Sequence, residues 1–384
     1  MSVVFERPSL WRRLQPIFSG FDLPLLAGLV VLGVMGLVTM YSAGHDNGSR
    51  FADHGRNMLL GLGILFVVAQ VPPQRLAQLA VPLYSLGVAL LLATALFGIT
   101  KKGATRWLNV GVVIQPSELM KIAMPLMLAW WFQKREGQLR ALDFAAAALL
   151  LLVPVGLVVK QPDLGTAILI LSGGLYIIYF AGLSWKLILP VLLAGAVAVT
   201  AIVLSADRIC QDDVTWPLLR EYQKHRVCTL LDPTTDPLGK GFHIIQGMIA
   251  IGSGGVTGKG FMQGTQTHLE FIPERTTDFV FAAFAEEFGL MGALTLIAAF
   301  TFVLARGLLI ANSAPTVFSR LLAGALTMSF FTYAMVNMGM VSGILPVVGI
   351  PLPFISYGGT AMVTLGLALG MLMSIARSRR LIQT

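Results

Sequence analysis

The chain has 384 residues, 56% of them hydrophobic and only 12% charged, with a mean hydropathy of +0.78. A water-soluble domain carries about 25% charged residues, so this composition excludes one. The net charge of +8 is not gathered into a basic block with interleaved aromatics, which argues against a nucleic-acid partner. About 20 apolar residues cross a bilayer core as a helix. Ten such runs are predicted, at 22–43, 56–71, 76–98, 117–133, 143–160, 164–182, 185–205, 277–306, 318–345 and 359–376. The fold class is therefore an all-α polytopic membrane protein.

Residues 1–21 read as a cytoplasmic lead with Trp11, Arg12 and Arg13 near the headgroups. Residues 22–205 hold the first seven spans, 206–276 form a large extracytoplasmic loop, 277–376 hold the last three spans, and 377–384 are a cytoplasmic tail. In the short connections, thirteen Lys and Arg residues fall on one side and seven on the other. The richer side is cytoplasmic by the positive-inside rule, which puts both termini inside, as an even span count requires.

The first outer loop, His45 to Arg56, is polar, and His45 and His54 read there as solvated side chains. The second, Lys101 to Lys121, is richer. Pro116 is placed to open a helix, which puts Glu118 and Lys121 three apart on one face. A dipole-favoured Glu paired with a Lys accounts for them structurally. Charge at the rim of a membrane helix is costly unless it has a use, so a site explains them equally well. Arg106 and Trp107 suit a phosphate and a sugar face, or anchor the loop at the interface. Pro154 is expected to interrupt the fifth span. Asp163 is most simply the cap of the sixth, and its outer position leaves a site role open.

The 206–276 segment lacks a soluble core. An amphipathic run at Leu218 to Leu231 puts Arg220, Lys224 and Arg226 on its polar side, and Asp232-Pro233 and Asp236-Pro237 mark turns. Cys210 and Cys228 both lie here, outside the cell in this topology. A disulfide between them would contribute about 3 kcal/mol by loop entropy; two unpaired thiols are the alternative. The run GSGGVTGKG at 252–260 fails the phosphate-loop pattern, since Gly260 stands where Ser or Thr is needed. It reads as a glycine loop that lets Lys259 approach a ligand, or as a tight surface turn.

The next stretch opens polar, with Glu270, Pro273, Glu274, Arg275, Thr276 and Thr277, and enters a helix whose first turn carries Asp278. Ala282, Ala285, Gly289 and Gly292 follow at helical spacing, a stripe that lets helices approach closely. Asp278 should therefore face protein at the mouth of a bundle, where an ionisable group is a functional candidate. Glu286 and Glu287, deeper in, must pair, face water or be neutral. The apolar but proline-rich run 344–360 is expected to be a re-entrant segment packed on protein.

The runs GATRWLNVG (103–111), QPSELMK (115–121), QPDLGTA (161–167), LDPTTDPLGKGFHIIQ (231–246), the stretch 250–292 and PLPFISYGGTAM (351–362) closely resemble the SEDS family (shape, elongation, division and sporulation). The likeness covers essentially the whole chain, and GTQTHLEFIPERTTDF is nearer the elongation branch than the division branch. It implies a ten-helix glycosyltransferase in the bacterial inner membrane that polymerises lipid II on the periplasmic side. It also implies a class B penicillin-binding protein as transpeptidase partner within the elongation machinery.

Asp278 matches the family's essential external aspartate, and Glu118 and Lys121 its cavity-lining pair. The cysteines are not part of the resemblance. The expected reaction is an inverting displacement, with Asp278 as general base toward the acceptor 4-hydroxyl and undecaprenyl pyrophosphate leaving. Lys121, oriented by Glu118, is assigned to pairing with Asp278 or to the pyrophosphate, and Arg106 to the phosphate. Lys259, Arg275, Ser356 and Tyr357 are further substrate contacts, with Trp107 against a sugar. Magnesium or manganese bridging Asp278 and the pyrophosphate suits the hard oxygens, and no organic cofactor is expected. A lipid II flippase or a noncatalytic scaffold for the penicillin-binding protein are the competing readings.

Overall fold

The computed structural model describes residues 20–45, 48–101, 104–109, 111, 113–211, 214, 221–235, 239–269, 271–272 and 274–383. The lead at 1–19, Lys102, Arg220, the Asp236-Pro237 turn, Glu270 and Pro273 lie outside these residues.

The apolar runs fold as helices that begin where the chain supplies a cap or a proline. Helix α1 (Leu23–Ala43) is capped by Asp22, whose Oδ1 accepts from the Leu25 amide at 3.0 Å. Helix α2 spans Gly48–Val68, and α3 (Pro73–Phe97) opens on proline. A small antiparallel sheet follows, in the order β1 (Ile99–Lys101), β2 (Ala104–Asn109), β3 (Val113–Ile114). Helices α4 (Pro116–Gln133), α5 (Ala141–Lys160), α6 (Leu164–Phe180) and α7 (Trp185–Leu204) come next. The outer segment holds α8 (Ala206–Ile209), α9 (Glu221–Leu231), α10 (Lys240–Gly254) and α11 (Thr265–His268). The chain closes with α12 (Val280–Asn312), α13 (Val317–Val341) and α14 (Gly359–Gln383).

Each predicted run coincides with one helix, except that α12 is interrupted within its span. Among the described residues, seven of these helices are long and apolar enough to cross a membrane. The other three are α2, α4 and α6. Helix α6 is short, at 17 residues. Helix α2 begins with a polar turn carrying Arg50, Asp53 and Arg56, and α4 carries Glu118 and Lys121.

Several expectations need correction. The molecule is not wholly helical, because the second outer loop pairs with itself as the three-stranded sheet. Helix α2 starts at Gly48, so His54 is not a solvated loop residue. It is fully buried, with Nε2 3.2 Å from the Phe354 carbonyl. His45 stays exposed and rests its ring on that of His268, with centroids 4.1 Å apart. Pro154 lies inside an unbroken α5. Lys224 is buried and donates to the carbonyls of Gln211 and Val214, so it does not lie on a solvent face. Cys210 and Cys228 form a disulfide with Cα atoms 5.6 Å apart.

Helix α14 packs on α2, α3 on α4, and α12 on both α1 and α13, which also meets α4 and α6. Phe132, Phe279 and Phe318 are among the largest fully buried side chains. Toward the C-terminal end of α12, Arg306 grips the α1 cap in a two-pronged bridge, Nε to Asp22 Oδ1 at 2.8 Å and a second nitrogen to Oδ2 at 2.6 Å. Helix α7 differs. None of its residues is buried, and among the described residues the element it chiefly meets is α8, the four-residue helix that follows it in sequence.

Helix α12 is broken at Gly289, where φ is +62°. The small-residue stripe therefore ends there: Ala282 and Ala285 are buried on the outer half, while Gly292 belongs to a second segment. In an unbroken helix the amides of Leu290 and Met291 would donate to the carbonyls of Glu286 and Glu287. Instead they donate to Gly255 and Val256 at 2.9 and 3.1 Å, while those two carbonyls accept from Lys259 and Gly260 at 3.1 and 3.0 Å. The glycine loop thus exchanges backbone bonds with the interrupted helix. A Cβ on Gly289 would lie 2.3 Å from the Gly258 nitrogen, so only glycine allows this approach.

Candidate active site

Asp278 lies in the turn before Val280, with Phe279 as the cap, and not in the first turn of the helix as expected. The turn is held by its backbone oxygens, three in a row. The Thr276 carbonyl accepts from the Tyr357 amide at 2.8 Å. That of Thr277 accepts from the Ser356 hydroxyl at 2.6 Å, and that of Asp278 from Asn337 Nδ2 at 2.9 Å. The same Asn337 nitrogen donates to the Ile350 carbonyl at 2.8 Å. The irregular segment at 342–358 and α13 together therefore fix the turn.

The segment 342–358 has no regular helix, as its prolines require, and buries Val347, Val348, Ile350, Leu352 and Ile355 on protein. Its Gly349 has φ +75°, and a Cβ there would lie 3.3 Å from Asp278 Oδ2. The missing side chain leaves space for the carboxylate. From the other side, Arg50 donates to the Thr276 hydroxyl and Arg275 Nε to the Ala43 carbonyl at 3.0 Å.

A second cluster rises from α4. Lys121 Nζ lies 2.6 Å from Glu118 Oε1, and both side chains are mostly buried. Thr364 of α14 donates to Glu118 Oε2 at 3.0 Å. Removing one partner would leave an uncompensated charge, at a cost of about 3–5 kcal/mol. The Lys121 ammonium also sits 5.4 Å from the centre of the Tyr333 ring. Asp163 caps α6 through the Thr166 amide, accepts from Gln115 Nε2 at 3.0 Å, and faces Arg106 at 3.8 Å. Arg106 further donates to the carbonyls of Gln161 and Pro162, which staples the sheet to the α5–α6 turn.

Helix α13 joins the two clusters. Tyr333 faces Lys121 and Asn337 holds Asp278, and four residues separate them, about 6 Å along the axis.

Other expected contacts are engaged elsewhere. The Ser356 hydroxyl is buried and bonded to the turn, so it supports Asp278 and is not open to a substrate. Tyr357 contributes its amide there, and Trp107 sits half-buried in β2 opposite Ile99. Lys259 is bound to Glu286 Oε1 at 2.7 Å. Glu286 is fully buried and also accepts from the amides of Gln266 and Thr267 at 2.8 and 3.1 Å. Glu287 accepts from the Ser42 hydroxyl and lies 3.5 Å from His268 Nε2. Both glutamates are therefore paired. In the outer segment, the hydroxyl and amide of Thr234 hold the Asp232 carboxyl below its usual pKa. Sequence reasoning missed Tyr333, Asn337 and Thr364. The available signal was an asparagine in the middle of an apolar span, where an unsatisfied amide is costly.

The chain is similar to known proteins over nearly its whole length. It is 46% identical over 360 residues to the peptidoglycan glycosyltransferase MrdB of Escherichia coli, covering 93% of this chain and 94% of that protein. It is 30% identical to the peptidoglycan glycosyltransferase RodA of Treponema pallidum, covering 93% and 98%. Among solved structures, it matches a chain from a peptidoglycan synthase complex that coordinates polymerization and crosslinking, with TM-score 0.77 and 34% identity over 94% of this chain and 99% of that one. The rod-shape-determining RodA of Thermus thermophilus matches with TM-score 0.69 and 27% identity, covering 94% and 98%. The family model for the FtsW, RodA and SpoVE cell cycle proteins matches residues 16–381, and the chain belongs to that family of multi-pass membrane proteins.

Proposed function

We propose that the chain is a peptidoglycan glycosyltransferase that polymerises lipid II at the outer face of the bacterial cytoplasmic membrane during cell elongation. The names of its relatives support the reaction class. The observation that carries the site is the Asp278 turn, clamped through three successive carbonyls, with Asn337 that holds it four residues along α13 from Tyr333 at the Glu118–Lys121 pair. A base is useful only if its position is fixed before the substrate arrives.

Asp278 removes the proton of the acceptor sugar's 4-hydroxyl. That oxygen attacks the donor's anomeric carbon, a new glycosidic bond forms with inversion, and the bond to pyrophosphate breaks. Undecaprenyl pyrophosphate leaves, its charge met by Lys121, which Glu118 orients, and by Arg106 at the mouth. Asp278 offers magnesium or manganese one hard ligand. Among the described residues no three acidic, histidine or cysteine side chains converge, so the rest of such a shell would come from the substrate's phosphates.

The ten helices each cross the membrane in this reading, with both termini cytoplasmic and Asp278 facing the periplasm. The distribution of Lys and Arg supports that orientation. The synthase complex among the structural relatives supports a class B penicillin-binding protein as partner.

The test supplies the purified chain and partner with lipid II and scores glycan strands. Asp278→Asn is expected to lower the rate by about 10²–10⁴, the usual worth of a general base. Polymerisation at the parent rate would refute the assignment. Labelled lipid II crossing between leaflets without longer glycan would mark a transporter instead.

A further inference from the structure

Tyr333 is 6% exposed, and the Lys121 ammonium, which can only donate to it, is the one polar group among the described residues that its hydroxyl meets. A buried hydroxyl whose proton finds no acceptor is costly and calls for an explanation. Its surroundings supply one. The hydroxyl feels the charges of Lys121, Glu118 and Asp163, and the Lys121 ammonium lies against its ring. Against Lys121 is a cavity of about 30 Å³, lined by Lys121, Ser329, Tyr333 and Thr364 and otherwise by apolar side chains such as Phe330 and Ala368. About 10–15 Å³ holds one water, provided two to four polar partners are in reach. The polar side chains among the lining residues are those of lysine, tyrosine, serine and threonine.

We propose that this cavity binds a single structural water, and that Tyr333, acting through it, is a positioning residue for Lys121. The ammonium has three protons to place. Glu118 takes one at 2.6 Å, and the tyrosine and water fix a second. The third then points to the cavity where the leaving pyrophosphate is assigned. Thr364, bonded to Glu118 Oε2, closes the ring from α14. Helix α13 thereby sets both halves of the site, Lys121 through Tyr333 and Asp278 through Asn337. This inference rests on the assignment of Asp278 and Lys121 to lipid II polymerisation.

The test compares the parent, Tyr333→Phe, Ala368→Val and Asp278→Asn in the complex with its partner, by lipid II polymerisation kinetics and thermal unfolding. Tyr333→Phe removes the hydroxyl, and Ala368→Val fills the water site while keeping it. Both are expected to lower kcat about tenfold, the worth of one hydrogen bond to a charged group. KM for lipid II should move less than twofold and the unfolding temperature should stay at the parent value. Merely loosened packing would lower the unfolding temperature along with kcat, and that result overturns the proposal. Parent kcat in both variants, with Asp278→Asn inactive, overturns it as well. Parent activity in Asp278→Asn would instead overturn the underlying polymerase reading.

Discussion

Helices α7 and α13 reverse the rule by which soluble proteins are read. Helix α7 has a mean hydropathy of 2.7 and none of its most apolar window is buried, whereas α13 has 1.4 and 67% is buried. In water the more apolar helix would seek the core. In a bilayer, lipid tails solvate leucine as well as protein does, so apolar residues give no preference for the interior. Polar residues do, because only protein can bond them. Helix α13 carries Asn337, Tyr333 and Thr332, the last bonded to Tyr176 at 2.8 Å. Among the described residues α7 shows no such partner, and just beyond its C-terminal end Cys210 after α8 bridges to Cys228 in α9.

Three substitutions break or sharpen this contrast. Asn337→Leu raises the hydropathy of α13 but strips two buried carbonyls of their donor. At about 1–3 kcal/mol for each unsatisfied group, it should destabilise the protein by several kcal/mol and abolish polymerisation, as read by thermal unfolding and lipid II assay. Replacing Cys210 and Cys228 by serine opens an 18-residue loop. The outer segment should lose about 3 kcal/mol, visible as faster proteolysis between α8 and α9 that the reduced parent reproduces. Leu193→Ala on α7, where the leucine is 58% exposed, should shift stability by less than about 0.5 kcal/mol. A loss of several kcal/mol there would mean that α7 packs on protein after all.

The spans were legible because an apolar run of bilayer length has few alternatives. Asp278, Glu118 and Lys121 stood out as charges where charge is costly, and the Cys210–Cys228 bridge was one of the two readings the sequence left open. The rest depends on partners distant in sequence. His54 gave no sign that the Phe354 carbonyl, 300 residues on, would enclose it. Gly289 looked like one member of a packing stripe, since nothing local reveals that residues 255–260 enter the helix there. Ser356 read as a substrate contact because its real partner, the Thr277 carbonyl, is 79 residues away. Lys224 sat on the polar face of a helical wheel, and only the fold turns it inward. The sheet at 99–114 was short enough to pass for a loop.

The interruption at Gly289 has one more effect. Leu290, Met291, Lys259 and Gly260 all satisfy their amides across the same junction, so parting its two sides would strip four amides of their partners at once. Neither the glycine loop nor the outer half of α12 can withdraw alone without orphaning the other's backbone. The two form one mechanical piece, with the Asp278 turn at its end, so a push on the loop would travel to the carboxylate as displacement and would not be lost as local fraying.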